Sequence, residues 1–435
     1  MNSLYHRRFY SAVLLVLFSC YTAGAELYLS LDQCRELGLK NDLSFQIQTL
    51  AVKQAVNKQR SLPSRFLPSV YLSADHQYDF GSSIDPNTNN RVAANFQFDR
   101  FALQAQLDIF NFGQLWESKI ALGEVNIQLA QQQLIRQEYL TVLIEKYFAA
   151  LAAQYWTATL GEQLQQTAEQ VDRIQKELND GARPESDIYD IQVVFTQEKK
   201  QLLLQQQSEL NKKMELLQWI NLQTVDAETL ALLKPAEVAP PQQLWDAKTS
   251  LKVYAEQQKY EKLQRQQQQL LSAYLPTLSL GYAYGSFFSK QVDNIWNTSF
   301  SFGQQLNNNK SQFLGLNLRV PISSRGDARR LRMAKKIEIK QQEVQIENTV
   351  LQQHNLNQKY YRNWQQYHQL TPLLLEALSY AEKSLTTTLL KLEYGTVDIS
   401  LYKIAKNQVI HARYEVINNE LSANMLEILL QELQQ

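Results

Sequence analysis

The chain has 435 residues, too many for one ordinary core, with 43 basic side chains against 43 acidic ones and only 13 glycines and 10 prolines. Balanced charge without a basic block argues against a nucleic-acid binder, and two cysteines, Cys20 and Cys34, leave no disulfide framework or zinc cluster. Sparse glycine and proline favour long helices, and the glutamine runs at 131–133, 205–207 and 266–269 suit helix faces turned to water.

Residues 1–25 read as an export signal: Arg7 and Arg8, an apolar stretch from Ala12 to Phe18, and the small-residue cleavage site Ala23-Gly24-Ala25. A competing reading takes Leu17-Phe18-Ser19-Cys20 as a lipoprotein cleavage site, which leaves lipidation of Cys20 open. No later run of about 18 apolar residues follows, so no membrane-spanning helix is expected.

A helix is expected from Ser30 to about Arg60, with Ser30 and Gln33 forming a capping box. Leu67-Pro68 ends it, because proline has no N–H and restricts the residue before it. Strands follow at about 67–79 and 97–110. Val70, Leu72 and Ala74 alternate with Ser69, Ser73 and Asp75; Phe101, Leu103, Ala105, Leu107 and Ile109 alternate with Gln104, Gln106 and Asp108. A long proline-free helix is expected over about 113–180, roughly 100 Å at 1.5 Å per residue. Its apolar positions fall on narrow coiled-coil seams such as Ile120, Ile127 and Leu134. A turn at Gly181 leads to a return helix over about 185–221.

The plan then repeats after roughly 210 residues, the two copies meeting near Pro235–Pro241. Leu67-Pro68-Ser69-Val70 returns as Leu275-Pro276-Thr277-Leu278, and Leu178-Asn179-Asp180-Gly181 as Leu392-Glu393-Tyr394-Gly395. The second copy has a helix from Leu244 to about Ser272 and strands at about 275–285 and 312–322. Its long helix covers about 326–393, with a kink expected near Leu370 from Pro372, and its return helix about 397–433. In its strands Leu278, Leu280, Tyr282 and Tyr284 alternate with Thr277, Ser279, Gly281 and Ala283; Leu314, Leu316, Leu318, Val320 and Ile322 alternate with Gly315, Asn317 and Arg319. Aromatics at Tyr139–Trp156 and at Tyr360, Tyr361, Trp364 and Tyr367 mark thicker packing midway along the helices.

Period-two alternation over about ten residues behind an export signal is the pattern of lipid-facing barrel strands. Val70, Leu72, Leu103, Leu107, Leu278, Leu280, Leu316 and Leu318 are then the lipid-facing set, and Asp75, Gln104, Gln106, Asp108, Asn317 and Arg319 line a water-filled lumen. Four strands cannot close a membrane barrel, whose smallest examples have about eight. Open edges in lipid leave backbone groups unpaired. Several copies must therefore pool strands, and the residues alone do not choose between two and three. The alternative is a secreted periplasmic coiled-coil scaffold whose small sheet is soluble. No phosphate-cradling loop, metal cluster or nucleophile elbow is visible, and no catalytic residue, cofactor site or metal site is assigned, so an enzyme is not expected.

In the order and doubling of these features the mature chain resembles the TolC-like outer-membrane efflux proteins. The resemblance is carried by Leu29–Asp42, the two Leu-Pro strand entries, the strand ends at Ile109–Gly113 and Val320–Gly326, and the two glycine tips. It implies a mainly α chain of two tandem repeats, 26–241 and 242–435, contributing to a trimeric 12-stranded β-barrel continued by a coiled-coil α-helical barrel. It also implies a passive export duct in a tripartite efflux or type I secretion system of a Gram-negative outer membrane. The implied partners are two further copies of itself, outer-membrane lipid, a periplasmic adaptor protein and an inner-membrane pump. Members close the periplasmic end with acidic residues six and nine positions after the tip glycine. Asp187 and Asp190 fit after Gly181; Leu401 and Ile404 depart from it after Gly395, where Asp398 is the nearest carboxylate. Arg183 is a candidate partner for an acid of a neighbouring tip. Acids in a first helical turn also favour the helix dipole whatever the function.

Overall fold

The computed structural model describes residues 27–84, 89–222, 224–236, 246–292, 301–322 and 326–434. The expected export signal with Cys20, and Pro240 and Pro241 of the expected joint, lie outside the described residues. In chain order the elements are β1 (Leu27–Leu29), α1 (Leu31–Asn41), α2 (Leu43–Arg60), β2 (Ser69–Asp79), β3 (Ser82–Ile84), β4 (Arg91–Ala93), β5 (Phe96–Asn111), α3 (Phe112–Asn179), α4 (Glu185–Trp219) and β6 (Leu230–Leu232). There follow α5 (Leu251–Gln269), β7 (Thr277–Gln291), α6 (Phe302–Asn308), β8 (Ser311–Arg319), α7 (Asp327–Glu393) and α8 (Ile399–Gln434), with short 3-10 turns at Pro63–Phe66, Ala247–Thr249 and Leu270–Tyr274.

Several boundaries differ from the sequence expectation, each for a local reason. The capping box is present: Ser30 Oγ accepts from the Gln33 amide and Gln33 Oε1 from the Ser30 amide. The single first helix, however, breaks at Asp42, whose backbone is extended (φ −68°, ψ 121°) and whose carboxylate accepts the Phe45 amide to start a second helix. β7 runs on to Gln291, beyond the expected end at 285, because it keeps pairing with β5 up to Phe96. α6 then stands where only loop was expected. β8 stops at Arg319, two residues before Pro321, which cannot donate to a ladder. Pro372 lies inside α7, which runs on through it to Glu393.

The chain divides into two compact units, and neither follows the halves of the sequence. One holds residues through Ile47, Gln132–Leu251 and Thr349 onward; the other holds Gln48–Gln131 and Lys252–Asn348.

In the first unit the main core gathers Tyr139, Leu140, Leu143, Ile144, Tyr147, Phe148 and Leu151 of α3 with Leu216, Leu217 and Ile220 at the end of α4 and Leu421, Leu426 and Leu429 of α8. Tyr360, Trp364 and Tyr367 of α7 pack against it. Each fully buried Leu or Ile here contributes about 1.5–3 kcal/mol. β1 and β6 form a parallel pair, Leu27 opposite Leu230 and Leu29 opposite Leu232. Two such short strands would not hold alone, and α3 fastens them. Tyr147 Oη donates to the Leu29 and Leu233 carbonyls, and the Gln154 amide bonds both the N–H and the carbonyl of Leu232 (2.9 and 3.0 Å). Cys34 is free and buried there, and burial pushes its thiol up to about 12, so it stays protonated and inert.

The second unit holds a four-stranded antiparallel sheet of order β2-β5-β7-β8 and a short antiparallel pair, β3 with β4. It also holds a helix layer tied by polar contacts: Lys262 to Glu124 (2.5 Å), Arg265 to the Lys119 carbonyl (3.1 Å), and Gln342 to Glu256 (2.6 Å).

Candidate functional site

Three places concentrate the residues that the sequence singles out or that burial makes unusual: the sheet, the two helix tips, and a buried cation above the tips.

The sheet register sorts side chains by face. One set of rows across it reads Leu72–Leu103–Tyr284–Gln312, Val70–Ala105–Tyr282–Leu314, Leu107–Leu280–Leu316 and Phe110–Leu278–Leu318. The alternate rows read Tyr71–Gln104–Ala283–Phe313, Ser69–Gln106–Gly281–Gly315, Asp108–Ser279–Asn317 and Asn111–Thr277–Arg319. Period two makes these opposite faces. Val70, Leu72, Leu103, Leu107, Leu278, Leu280, Leu316 and Leu318 therefore share one face, and Gln104, Gln106, Asp108, Asn317 and Arg319 share the other. Asp75 joins the polar set opposite Arg100. The apolar face is bare: Leu72 is 76% exposed, Leu314 70%, Leu316 65% and Leu318 63%. Ile109 leaves the expected alternation. The register shifts between Asp108 and Phe110, so Phe110 takes the place opposite Leu278. A bulge of this kind puts two residues against one, and period two alone does not foresee it.

The polar face carries local hydrogen bonds, among them Tyr71 Oη to Gln104 Oε1 at 2.6 Å and Gln104 Nε2 to Ser73 Oγ at 3.3 Å. β2 and β8 are the outer strands of the sheet. β7 outruns β8, and α6 covers the edge left over: Gln305 bonds the Ser289 N–H and carbonyl (both 3.0 Å), and Asn309 Nδ2 donates to the Phe287 carbonyl at 2.8 Å. Side chains here replace a strand on an otherwise open edge.

The tips share one backbone solution. Gly181 (φ +72°) and Gly395 (φ +66°) each turn a long helix into its return helix. Ala182 N–H reaches the Glu177 carbonyl at 2.8 Å, and Thr396 N–H the Lys391 carbonyl at 2.9 Å, the 6→1 closure that left-handed glycine permits. Beneath them lies a core of Ile174, Ile188, Ile191, Val194, Leu392, Ile399 and Tyr402.

The tip charges are cross-tied. Arg183 Nε donates to Glu177 at 2.5 Å, its Nη1 to Asp187 at 3.1 Å, and its Nη2 to the Leu392 carbonyl. Arg173 donates to Glu177 at 2.9 Å and to Glu393. Arg183 thus pairs with acids of its own tip and grips the second tip of the same chain, which the sequence expectation of a neighbouring acid does not describe. The local pairing is legible in the i,i+4 spacing of Arg183 and Asp187. Burial pushes the Glu177 carboxyl up, but hydrogen bonds from Arg173 and Arg183 outweigh it and hold the group below the ordinary carboxylate range. With the folded-state value depressed, this stabilisation is present at neutral pH and is lost as pH falls through that value. Asp190 is exposed beside this network. In the second tip, Asp398 accepts the Leu401 amide at 3.0 Å and so caps α8, while Leu401 and Ile404 are exposed.

Further up α8, Lys406 is buried at 1% exposure. Its ammonium lies 2.9 Å from Glu198 Oε1 and donates to the Gln163 carbonyl at 2.8 Å and to Thr167 Oγ1. It joins α3, α4 and α8 at one point. Nothing in the local sequence marks it; a lone lysine on an amphipathic helix ordinarily faces water.

Among the described residues no group of three or more His, Cys, Asp or Glu is placed to hold a metal ion, and no helix is long and apolar enough to cross a membrane. Residues 35–222 match the sequence model of the family described as Outer membrane efflux protein. No curated protein matches the sequence. The fold is similar to the outer membrane protein VceC of Vibrio cholerae (TM-score 0.76, 15% identity, 93% of this chain and 96% of that one). It is similar to CusC, a protein studied for transmembrane channel formation (TM-score 0.75, 14% identity, 96% and 95%). It is also similar to the outer membrane channel CmeC of Campylobacter jejuni (TM-score 0.74, 14% identity, 93% and 85%). At these identities the likeness establishes the fold.

Proposed function

From a chain whose residues 35–222 carry the outer membrane efflux protein family pattern and whose fold is that of outer membrane channels, we propose one subunit of a homotrimeric export duct. It works in a tripartite efflux or type I secretion system in a Gram-negative outer membrane, with its helices in the periplasm. The observation that carries this reading is the four-stranded sheet with one bare apolar face, one polar face and two outer strands.

The apolar face has the dimension a bilayer needs. From Phe101 to Phe110 on β5 is ten residues, about 33 Å along the strand and about 25 Å across a membrane at the usual barrel tilt, which is the height of a lipid-facing band. Strand parity also fits. All pairs within the sheet are antiparallel, so β8 of one copy meets β2 of the next in antiparallel sense and every copy adds four strands. Three copies make twelve, and the repeats 26–241 and 242–435 each supply two strands per copy. Asp75, Gln104, Gln106, Asp108, Asn317 and Arg319 then face a mixed-charge water path. The duct does no chemistry: a periplasmic adaptor and an inner-membrane pump supply cargo and work. Mass measurement of the purified full chain in detergent tests this. Three copies per particle and a conducting pore in planar bilayers are expected; a monomer, or trimers that never conduct, would exclude the duct.

The tips form its periplasmic gate, with Asp190 and the Asp187–Arg183 pair as the constricting charges and Gly181, Gly395 and Asp398 shaping the turns. The double variant Asp187→Ala/Asp190→Ala is expected to raise single-channel conductance about two-fold or more, since it removes carboxylates and releases Arg183 from one of its acids. Acidification through the depressed Glu177 value is expected to act in the same direction. Unchanged conductance in the double variant removes both aspartates from the gate.

A further inference from the structure

The first turns of α7 carry six basic residues, and the structure treats them in two ways. Arg330 pairs with Asp327, Lys335 with Glu338, and Lys340 with Glu343 at 2.8 Å. Arg329, Arg332 and Lys336 have no ion-pair partner among the described residues. Their i, i+3, i+7 spacing puts them on one helix face. They line a groove of about 370 Å³ with Gln267, Tyr274 and Met333. Three cations gathered around a cavity repel one another, and an anion seated among them relieves that repulsion.

The groove's neighbours in the chain suggest which anion. Tyr274 stands three residues before Thr277, where β7 begins, and α7 follows the strand that ends at Arg319. Thr277 and Arg319 form the last row of the sheet, and the next row is Leu278–Leu318 at the foot of the bare apolar face. An exposed tyrosine with a polar tip and apolar body is the side chain of the membrane–water boundary. A different stripe of α7, the exposed Ile337, Val344 and Leu351 at seven-residue spacing, lies about a quarter turn from the triad and has the character of a helix–helix seam. A second copy covering that seam leaves the basic groove uncovered.

We infer that Arg329, Arg332 and Lys336 seat the phosphate of an anionic glycerophospholipid headgroup at the helix-side boundary of the membrane band, with Tyr274 and Met333 against its glycerol and first methylenes. The two guanidinium groups match phosphate oxygens as forks, and the ammonium adds a point charge. This inference rests on the reading that the apolar sheet face meets hydrocarbon.

The test uses the purified full chain in neutral detergent, titrated with short-chain phosphatidylglycerol or short-chain phosphatidylcholine and read by native mass spectrometry. The wild type is expected to prefer phosphatidylglycerol by about tenfold or more. Arg329→Gln/Arg332→Gln/Lys336→Gln is expected to lose that preference, and Lys336→Gln alone to reduce it by a few fold. Arg330→Gln/Lys340→Gln, which removes two paired cations, is expected to keep it. Equal affinity for the two lipids, or a preference surviving in the triple variant, overturns the inference. So does displacement of the lipid by an equal concentration of inorganic phosphate, which would make the groove a free-anion site. A changed reversal potential in the triple variant with lipid preference intact would place the groove on the water path instead. Failure of the underlying reading looks different: the chain then leaves membranes in plain buffer, whatever lipid it prefers.

Discussion

Leu103→Arg is expected to abolish assembly into the membrane, whereas Gln106→Arg, three residues along the same strand, is expected to leave it nearly intact. Leu103 lies on the apolar face between Leu72 and Tyr284, in the upper half of the band that runs from Phe101 to Phe110. An arginine on the lipid face costs up to about 2–4 kcal/mol, most at the bilayer midplane and less toward the edge of the band, and every copy in a closed cylinder carries it. Three such costs, together up to about 6–12 kcal/mol, are of the same size as the margin by which an ordinary domain is stable, about 5–15 kcal/mol. Gln106 lies on the other face, beside Ser69 and Gly281, where a charge meets water. Its substitution is expected within about 0.5 kcal/mol of wild type. The fraction of chain that resists extraction from membranes reads both. Equal tolerance at the two positions would mean that neither face touches hydrocarbon.

Lys406→Met is expected to be the most damaging single change away from the sheet. It leaves the Glu198 carboxylate, whose side chain is 12% exposed, facing the space the ammonium filled. Breaking one side of a buried pair costs about 3–5 kcal/mol, because the surviving charge has neither water nor partner. Replacing both ends, Lys406→Met/Glu198→Leu, is expected to recover most of that loss, since an apolar pair of similar volume leaves no charge behind. Urea unfolding followed by far-ultraviolet circular dichroism measures both. A double variant as unstable as the single one would show that the polar network holds the three helices together for reasons other than charge pairing. There is also a pH signature. Burial pushes the Lys406 ammonium below its ordinary value, although Glu198 opposes this. Between the depressed value and the ordinary lysine value the unfolded chain binds more protons, so stability rises with pH across that window. Lys406→Met removes its share of the slope.

What the sequence made legible follows from period. Apart from the bulge at Ile109 and the end of β8 at Arg319, the apolar and polar sets of the four long strands alternate with period two, and the observed register keeps them apart because a one-residue slip would mix the faces at every position. The long helices were visible through the near absence of helix breakers, and the tips through two glycines whose left-handed backbone a side chain would strain. What stayed hidden depends on contacts distant in sequence. β1 and β6 are three residues each and carry no periodic signal; Tyr147 and Gln154 create them as a pair. The break at Asp42 depends on one carboxylate choosing the Phe45 amide over water. The bulge at Ile109 is a register event between two strands, so neither strand announces it alone. Lys406 looks like any surface lysine until α3 and α4 close over it. The groove of Arg329, Arg332 and Lys336 becomes distinct only when the neighbouring cations are seen to be paired.

The central physical claim is that Val70, Leu72, Leu103, Leu278, Leu280, Leu316 and Leu318 touch hydrocarbon on a strand set too small to close by itself. The most direct measurement separates membranes from cells making the full chain and washes one portion in alkaline buffer and another in detergent, weighing the released particle. Release only by detergent, as a particle of three copies, is the predicted result. A monomer set free by buffer alone would contradict it.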